Sequence, residues 1–250
     1  MNRRPLSDEQ WSVIEPLLRT DRSKGGRPPK DSRPVVDAIL WVHRTGAPWR
    51  DIPAGFGPWQ SIYTRFWRWS KAGIWQGVLA AVSGSRDAEN YQIDSTVVRA
   101  HQDAAGAKSA GDDQALGRSR GGFSTKIHLV VDALGYPVDL RLTGGHVHDA
   151  TQAAALLSGK LSQYVIADKA YDANAIIALI RAQGAEPVIP PRLGTTPRKV
   201  DWHVYKERHL VECCINRLKR FRRFATRYEK TARNYLAMAL IACILIWIGV

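Results

Sequence analysis

Short β-rich runs alternate with helical patterns through the second half of the chain, and this order restricts the fold more than any other feature. Tyr91 to Val98 is rich in β-branched residues. Thr125 to Asp132 and Tyr136 to Thr143 alternate apolar and polar side chains on either side of the turn Ala133-Leu134-Gly135, which predicts a hairpin. Tyr164 to Ala167 is a continuous apolar run, typical of a buried strand.

Helical patterns lie on both sides of the last of these runs, and one more strand and one more helix follow them. Thr151 to Leu157 and Ala173 to Ala182 have helical composition, Glu186 to Pro190 predicts a further strand, and Tyr205 begins an amphipathic helix. The order is therefore strand, strand, strand, helix, strand, helix, strand, helix. It predicts an α/β fold with helices flanking a mixed sheet.

The region before these strands carries helical signals. Ser7 is an N-cap candidate with Gln10 three residues later, and apolar side chains follow at helical spacing. Val35 to Arg44 and Gly73 to Val82 have the same periodicity. We therefore expect a small all-α domain ahead of the sheet.

Aromatic and basic side chains alternate densely from Trp59 to Ser70, after a segment rich in Pro and Gly. This pattern favours a helix-turn-helix-like, DNA-binding arrangement in which Arg65 and Arg68 contact DNA. The alternative is a small helical domain in which the Trp residues form the core.

Polar segments suggest how the chain is divided. Ser83-Gly84-Ser85-Arg86 predicts a boundary between an N-terminal helical, DNA-binding domain at 1–85 and an α/β domain at 86–250. A flexible basic loop is expected at 102–124, and Asp21 to Pro34 forms either a DNA-contacting arm or a solvated linker.

Within and beside the expected loop, basic side chains are candidate DNA contacts. Arg118 and Arg120 stand on a Gly-rich backbone suited to following phosphates, and Lys126 comes shortly afterwards. Flexible basic loops are common, so a solvated loop remains the alternative.

The chain is strongly basic, with 36 Lys and Arg against 23 Asp and Glu, a net charge of +13 and a pI near 10.0. This charge predicts a polyanionic partner, and nucleic acid is commoner than an anionic membrane. No secretory signal is evident at Met1 to Pro5, and Ala237 to Val250 is shorter than the roughly 20 apolar residues that span a bilayer, so it predicts a core helix.

The three cysteines, Cys213, Cys214 and Cys243, lack C-x-x-C spacing. This spacing indicates neither a disulfide framework nor a zinc knuckle, and favours small buried residues in a reducing, cytoplasmic setting.

Three carboxylates occupy positions suited to a metal site. Asp94 lies in or at the end of the first strand and Asp168 directly follows the fourth, so a mixed sheet can bring both to one rim. Glu212, on the last helix, can lean over the same rim. Hard oxygen ligands favour two Mg²⁺ or Mn²⁺ ions, which support in-line attack on phosphorus.

Polar side chains on that helix recur with helical spacing. Tyr205, Arg208, Glu212 and Lys219 share one face, and the apolar residues between them form the opposite face. Taken alone, this pattern is more typical of an ordinary amphipathic helix with a surface ion pair.

Together these motifs resemble the DDE transposases of bacterial insertion sequences, of the insertion-sequence-five type. The resemblance rests on Ile93-Asp94-Ser95-Thr96, on Ala167 to Asp172, and on a Y-x2-R-x3-E-x6-K signature matched by Tyr205, Arg208, Glu212 and Lys219. Segments 117–126 and 145–149 also look like the family, and the similarity extends along nearly the whole chain.

The resemblance implies a ribonuclease H-like catalytic domain that binds the terminal inverted repeats of an element, cleaves DNA strands and transfers them. It implies that Asp94, Asp168 and Glu212 hold the metal ions and that Arg208 and Lys219 contact the transposon end. Tyr205 packs or stacks near the same strand. A homodimer on double-stranded DNA is expected, since transposition joins two ends.

Two other hypotheses remain open. His146, His148 and Asp149 have a spacing that metal-dependent phosphohydrolases use, although a helix-entry turn with Asp149 as N-cap explains it more simply. Alternatively, the chain is a DNA-binding regulator without catalytic activity.

Overall fold

The computed structural model describes residues 5–18, 31–106, 114–119, 121–195 and 197–250. Its α-helices are α1 (Asp8–Ile14), α2 (Arg33–Thr45), α3 (Trp59–Lys71), α4 (Ile74–Val82), α5 (Ala153–Leu157), α6 (Asn174–Ala182), α7 (Trp202–Tyr205), α8 (His209–Leu218), α9 (Arg222–Ala225) and α10 (Ala232–Trp247). Its strands are β1 (Asn90–Ala100), β2 (Gly117–Ser119), β3 (Gly122–Val131), β4 (Pro137–Gly144), β5 (Tyr164–Ala167), β6 (Glu186–Val188) and β7 (Thr226–Arg227).

The strands form one mixed sheet centred on β1. On one side β3 runs antiparallel to β1, and β4 runs antiparallel to β3. On the other side β5 is parallel to β1, and β6 is parallel to β5. The short strands β2 and β7 pair with β3 and β1. This order, β4-β3-β1-β5-β6, is the ribonuclease H-like sheet, so the predicted fold class is confirmed.

Each face of the sheet has its own hydrophobic core. Ile93 and Val130 face α5 and α6, whose aliphatic side chains cover them. Residues of opposite strand phase, among them Val98, Ile127 and Leu129, face α8 and α10. This alternation follows from the period of two along a strand.

The N-terminal helices complete the second core. α1 begins with the predicted capping box, in which Ser7 and Gln10 exchange backbone and side-chain hydrogen bonds. Apolar residues of α1 to α4 join the cluster that contains α10 and one face of the sheet. α10 is buried around its whole circumference, as predicted for 237–250, because helices and the sheet surround it. The helical region thus packs on the catalytic half, and the boundary near residue 85 stays a prediction.

Several predicted details differ in the structure. Part of the expected 102–124 loop forms β2 and the start of β3, because their backbones pair antiparallel. His148, rather than Asp149, occupies the N-cap position of the following turn. Cys213 is exposed instead of buried, since it lies on the outer side of α8. Arg120 and residues 19–30 and 107–113 lie outside the described residues. None of the described helices is long and apolar enough to cross a bilayer.

Candidate active site

Asp94 and Asp168 lie side by side at the sheet. β1 and β5 are adjacent and parallel, with Ile93 paired to Ala167. Asp94 follows Ile93 within β1, and Asp168 follows Ala167 directly after the end of β5. The Oδ1 atom of Asp94 accepts a hydrogen bond from the Ser95 N–H at 2.7 Å. The Oδ1 atom of Asp168 accepts one from the Ala170 N–H at 2.8 Å. The predicted convergence of the two carboxylates at one rim is therefore what the strand register produces.

The signature helix crosses this rim. α7, a 3₁₀ turn at Lys206–Arg208 and α8 follow one another without a break. The buried side of α8 is formed by Val211, Cys214, Ile215 and Leu218. The predicted amphipathic pattern thus places the polar side, with Glu212, toward solvent.

A buried amide fastens this helix to β1. The Gln92 Oε1 atom accepts the backbone N–H of Val211 at 3.1 Å, and Gln92 is fully buried. Its Nε2 group donates to Asn90 Oδ1, and Asn90 Nδ2 in turn donates to Glu207 Oε2 at 2.7 Å. Because Gln92 precedes Asp94 by two residues and Val211 precedes Glu212 by one, these bonds set the position of Glu212 relative to Asp94.

Arg208 lies between two of the carboxylates. Its Nη1 atom is 3.4 Å from Asp94 Oδ2, and its Nη2 atom donates to Glu212 Oε1. Burial lowers the pKa of Arg208, but the carboxylates of Glu212 and Asp94 raise it above its usual value. The guanidinium therefore neutralises repulsion between groups that the fold brings together.

The donor set fits a divalent cation. All three candidate ligands are carboxylates, which suit Mg²⁺ or Mn²⁺. Burial raises the pKa of Asp94, and the like charges of Asp168 and Glu212 raise it further against the Ser95 and Arg208 contacts. A cation would relieve that repulsion. In the described residues no three His, Cys, Asp or Glu side chains are arranged as a metal site, and Arg208 stands between Asp94 and Glu212.

Tyr171 lies behind the aspartates and was not anticipated from the sequence. Its hydroxyl is buried without a hydrogen-bond partner among the described residues. Burial raises its pKa, and the charges of Asp149, Asp94 and Asp168 raise it further. The hydroxyl stays protonated and is a potential hydrogen-bond donor toward the rim.

Lys126 is directed into the protein. Its Nζ atom is 2.8 Å from Asp149 Oδ1 and donates to the Val147 carbonyl at 2.7 Å, and its side chain is 13% exposed. Ser95 Oγ donates to the same Asp149 oxygen at 2.8 Å. Asp149 thus links the strand that carries Asp94 to β3. The Lys126 charge is thus paired with Asp149 inside the protein, and DNA contact by Lys126 stays a prediction.

The other predicted DNA contacts are spread over the surface. Arg118 lies over the ring of exposed Phe123 at 5.0 Å. Arg65 lies over Trp69 at 5.6 Å and donates to Ser32 Oγ, whereas Arg68 is exposed on α3.

Within the signature, Tyr205 and Lys219 occupy different surroundings. Tyr205 stacks edge-on against Trp202 at 5.5 Å and packs against the small core beside β5 and β6. Lys219 is exposed at the end of α8.

The His-rich segment does not form a metal cluster within the described residues. The His146 ring lies so close to Gly117 that a Cβ there would be 2.0 Å from Nδ1. Asp149 is engaged by Lys126 and Ser95 instead.

Comparison with known families identifies the architecture. A model described as "Putative transposase of IS4/5 family" matches residues 6–79, and one described as "Transposase DDE domain" matches residues 91–247. The chain belongs to the DDE transposase family. DDE transposases act on DNA as polynucleotidyl transferases and generally use divalent metal ions, as the resemblance implied.

Individual relatives agree with this family. A putative transposase for insertion sequence element IS6501 from Brucella ovis is 44% identical over 130 residues, which are 50% of this chain and 99% of the relative. A putative transposase for IS402 from Burkholderia cepacia is 32% identical over 137 residues, 49% of this chain and 62% of the relative. A Mos1 transposase paired-end complex covers 79% of this chain and 82% of its own at 11% identity, but its TM-score of 0.28 adds no argument.

Proposed function

We propose that this transposase binds the terminal inverted repeats of an insertion sequence and catalyses divalent-metal-dependent strand cleavage and strand transfer. The observation that carries the proposal is the adjacency of Asp94 and Asp168 on parallel neighbouring strands, with Glu212 joined to Asp94 through Arg208. Carboxylates that serve only solubility do not have to converge in this way, whereas the carboxylate ligands of a metal ion do.

In this proposal Asp94, Asp168 and Glu212 hold two Mg²⁺ or Mn²⁺ ions. The bound ions would activate a water or 3′-hydroxyl and stabilise the leaving oxygen. Asp168 keeps its orientation through Ala170, and Glu212 through the bonds of Gln92. Arg208, once it withdraws from Glu212, is placed to neutralise nonbridging phosphate oxygens.

The DNA partner follows from the charge and from exposed cations. The net charge of +13 favours duplex DNA. Lys219, Arg68 and Arg118 are exposed and are proposed contacts, as are Arg65 and Tyr205. Bringing together two transposon ends calls for a homodimer, which we propose acts in the cytoplasm on nucleoid DNA.

Substitution of the carboxylates tests the proposal. With DNA that carries the ends of the element, Asp94→Asn, Asp168→Asn and Glu212→Gln should each lower Mg²⁺-dependent cleavage by roughly a thousandfold or more, because each removes a charged ligand. Binding of the ends should change little, since these side chains make no attractive contact with phosphates.

Glu186→Gln is the matched control, because Glu186 is an exposed carboxylate on β6. It should cleave like the unmodified protein. Full cleavage by Glu212→Gln, or binding of the ends without any Mg²⁺-dependent cleavage by the unmodified protein, would reject the proposal; the second result would favour a DNA-binding regulator.

A further inference from the structure

A basic cleft opens where the end of α2 meets the turn after α8. It encloses about 410 Å³ and is defined here by Thr45, Gly46, Lys219, Arg220, Arg222 and Tyr228. The cleft therefore has one wall from the N-terminal helical region and one from the catalytic half.

Among the described residues, no carboxylate pairs with the cations of this cleft. Lys219, Arg220 and Arg222 are exposed, and across the described residues none of them takes part in an ion pair. Three like charges around one cavity repel one another unless an anion is bound. The Tyr228 hydroxyl adds a polar group suited to phosphate oxygens, whereas the Thr45 hydroxyl donates to the Trp41 carbonyl at 2.7 Å.

A buried ion pair, Arg223 with Glu229, lies beside the cleft and is called the frame below. Arg223 is 4% exposed, and its Nη1 atom lies 3.2 Å from Glu229 Oε1. Its Nη2 atom donates to the Ala47 carbonyl at 2.5 Å, and its guanidinium lies over the Tyr228 ring at 4.7 Å. Arg223 thus ties the turn after α8 to the segment after α2.

Gly46 allows the two walls to approach closely. Its φ of +77° favours glycine, and a Cβ there would lie 3.1 Å from Arg222 Cβ. The position of Arg222 at the cleft is therefore set by backbone packing.

A simpler explanation of the cations is that they stabilise the C-terminal end of α8. A cation there contributes about 0.3–1 kcal/mol through the helix dipole. That role accounts for Lys219, the C-cap residue. The same explanation extends to α2, whose C-terminal end (Gly46) also faces the cavity; it predicts a loss of stability, without an effect on DNA binding, when the cations are removed.

The cleft lies at the C-terminal end of α8, and Glu212 lies in the first turn of the same helix. Lys219 follows Glu212 by seven residues, which is about 10 Å along a helix axis. One DNA strand presents a phosphate about every 3.4 Å of axis. A strand entering the active site can therefore reach the cleft about three phosphates away.

Resting on the proposed function, we propose that the basic cleft binds a backbone phosphate of the DNA strand held at the active site. Arg220 and Arg222 contact it, and the α2 turn at Thr45 and Gly46 forms the opposite wall of the cleft. The DNA strand then lies between the N-terminal region and the catalytic half.

Salt-dependent binding tests this inference. Arg220→Gln and Arg222→Gln are compared with Arg181→Gln, an exposed cation on α6, by fluorescence anisotropy of a labelled duplex of arbitrary sequence without Mg²⁺. Each cleft variant should weaken binding about three- to tenfold, and the double variant should lower the slope of log affinity against log salt by about 0.9, the value for one phosphate. The thermal unfolding midpoints should stay unchanged.

Three results would contradict phosphate binding by the cleft. In the first, the slope of log DNA affinity against log salt is the same for the double variant and for Arg181→Gln. In the second, the cleft variants lose stability while this slope is unchanged, which indicates stabilisation of the helix dipole; in the third, inorganic phosphate binds the cleft while DNA affinity is insensitive to the variants. Since no cleavage is measured, absence of catalysis in the unmodified protein would reject the proposed function and leave this inference standing.

Discussion

The two ends of the signature helix differ in how their cations are used. Near its start, Arg208 contacts Asp94 and Glu212, so its charge is satisfied within the protein. Near its end, Lys219 joins Arg220 and Arg222 around a cleft in which none of the three forms an ion pair within the described part of the chain.

This difference shows how one amphipathic helix serves two tasks. The paired cation gathers carboxylates that would otherwise repel, which prepares a site for divalent ions. The unpaired cations leave charge for an external phosphate. Because helical geometry fixes the separation of the two ends, the sites keep a constant spacing.

Breaking the frame of the basic end should have the largest effect on stability. Arg223→Ala removes the ion-pair partner of buried Glu229, so the free energy of unfolding should fall by about 3–5 kcal/mol. Urea unfolding measures it. The double variant Arg223→Met/Glu229→Leu should recover much of the loss, because both charges of this buried pair are gone. A loss under 1 kcal/mol for Arg223→Ala would mean that the ion pair does not support the cleft.

Acid should weaken the same end through His43. Burial lowers the pKa of His43 to about 4. Its Nε2 group is hydrogen-bonded to the Met238 carbonyl, and its buried Nδ1 atom has no hydrogen-bond partner among the described residues that could accept a second proton. The unfolded chain binds this proton below about pH 6.5, hence stability is lost as the pH falls from about 6.5 toward 4.

The expected contribution is about 3 kcal/mol. Urea unfolding at neutral pH and near pH 4 should show a smaller acid loss for His43→Gln, which keeps a donor for Met238 and does not titrate. An equal acid loss in both proteins would assign the effect to other groups.

Removing the hydrogen bond between Gln92 and Val211, near the start of the signature helix, should cost less stability but impair cleavage. Gln92→Met deletes the acceptor for the Val211 N–H, which costs about 1–3 kcal/mol. Glu212 then loses its fixed position relative to Asp94, so cleavage should fall about tenfold or more while DNA binding persists. Unchanged cleavage, measured at a temperature where both proteins are fully folded, would show that the Gln92–Val211 hydrogen bond has only a structural role.

The smallest effect sharpens the contrast between the two cations. Arg208→Gln should lower the free energy of unfolding without metal by about 0.5 kcal/mol and increase the stabilisation by Mg²⁺, because a competitor for the carboxylates is gone. Lys219→Gln is the matched control and should respond to Mg²⁺ like the unmodified protein. Thermal unfolding with and without Mg²⁺ measures the stability and the Mg²⁺ response of each variant. An identical Mg²⁺ response in the two variants would show that Arg208 and Lys219 do not differ in their relation to the metal site.

Much of this arrangement was predictable from local patterns. The alternation of Ile127 and Leu129, the apolar run before Asp168 and the spacing of Arg208, Glu212 and Lys219 each depend on neighbours within a few residues. These patterns were sufficient for the sheet, the adjacency of Asp94 and Asp168, and the polar face of the helix.

Long-range contacts were not predictable in the same way. Gln92 is a polar residue in a β-rich run, and nothing nearby indicates that it accepts a bond from Val211. The partners Lys126 and Asp149 are likewise far apart in sequence and meet only in the folded sheet. β2 was missed because a short Gly-rich segment becomes a strand through pairing with β3.

Binding of Mn²⁺, followed by electron paramagnetic resonance, tests the central claim most directly. The unmodified protein should bind Mn²⁺, Glu186→Gln should bind it equally well, and Asp94→Asn, Asp168→Asn and Glu212→Gln should each bind it at least about tenfold more weakly. Equal Mn²⁺ affinity in all five proteins would contradict the claim that Asp94, Asp168 and Glu212 together hold the catalytic metal ions.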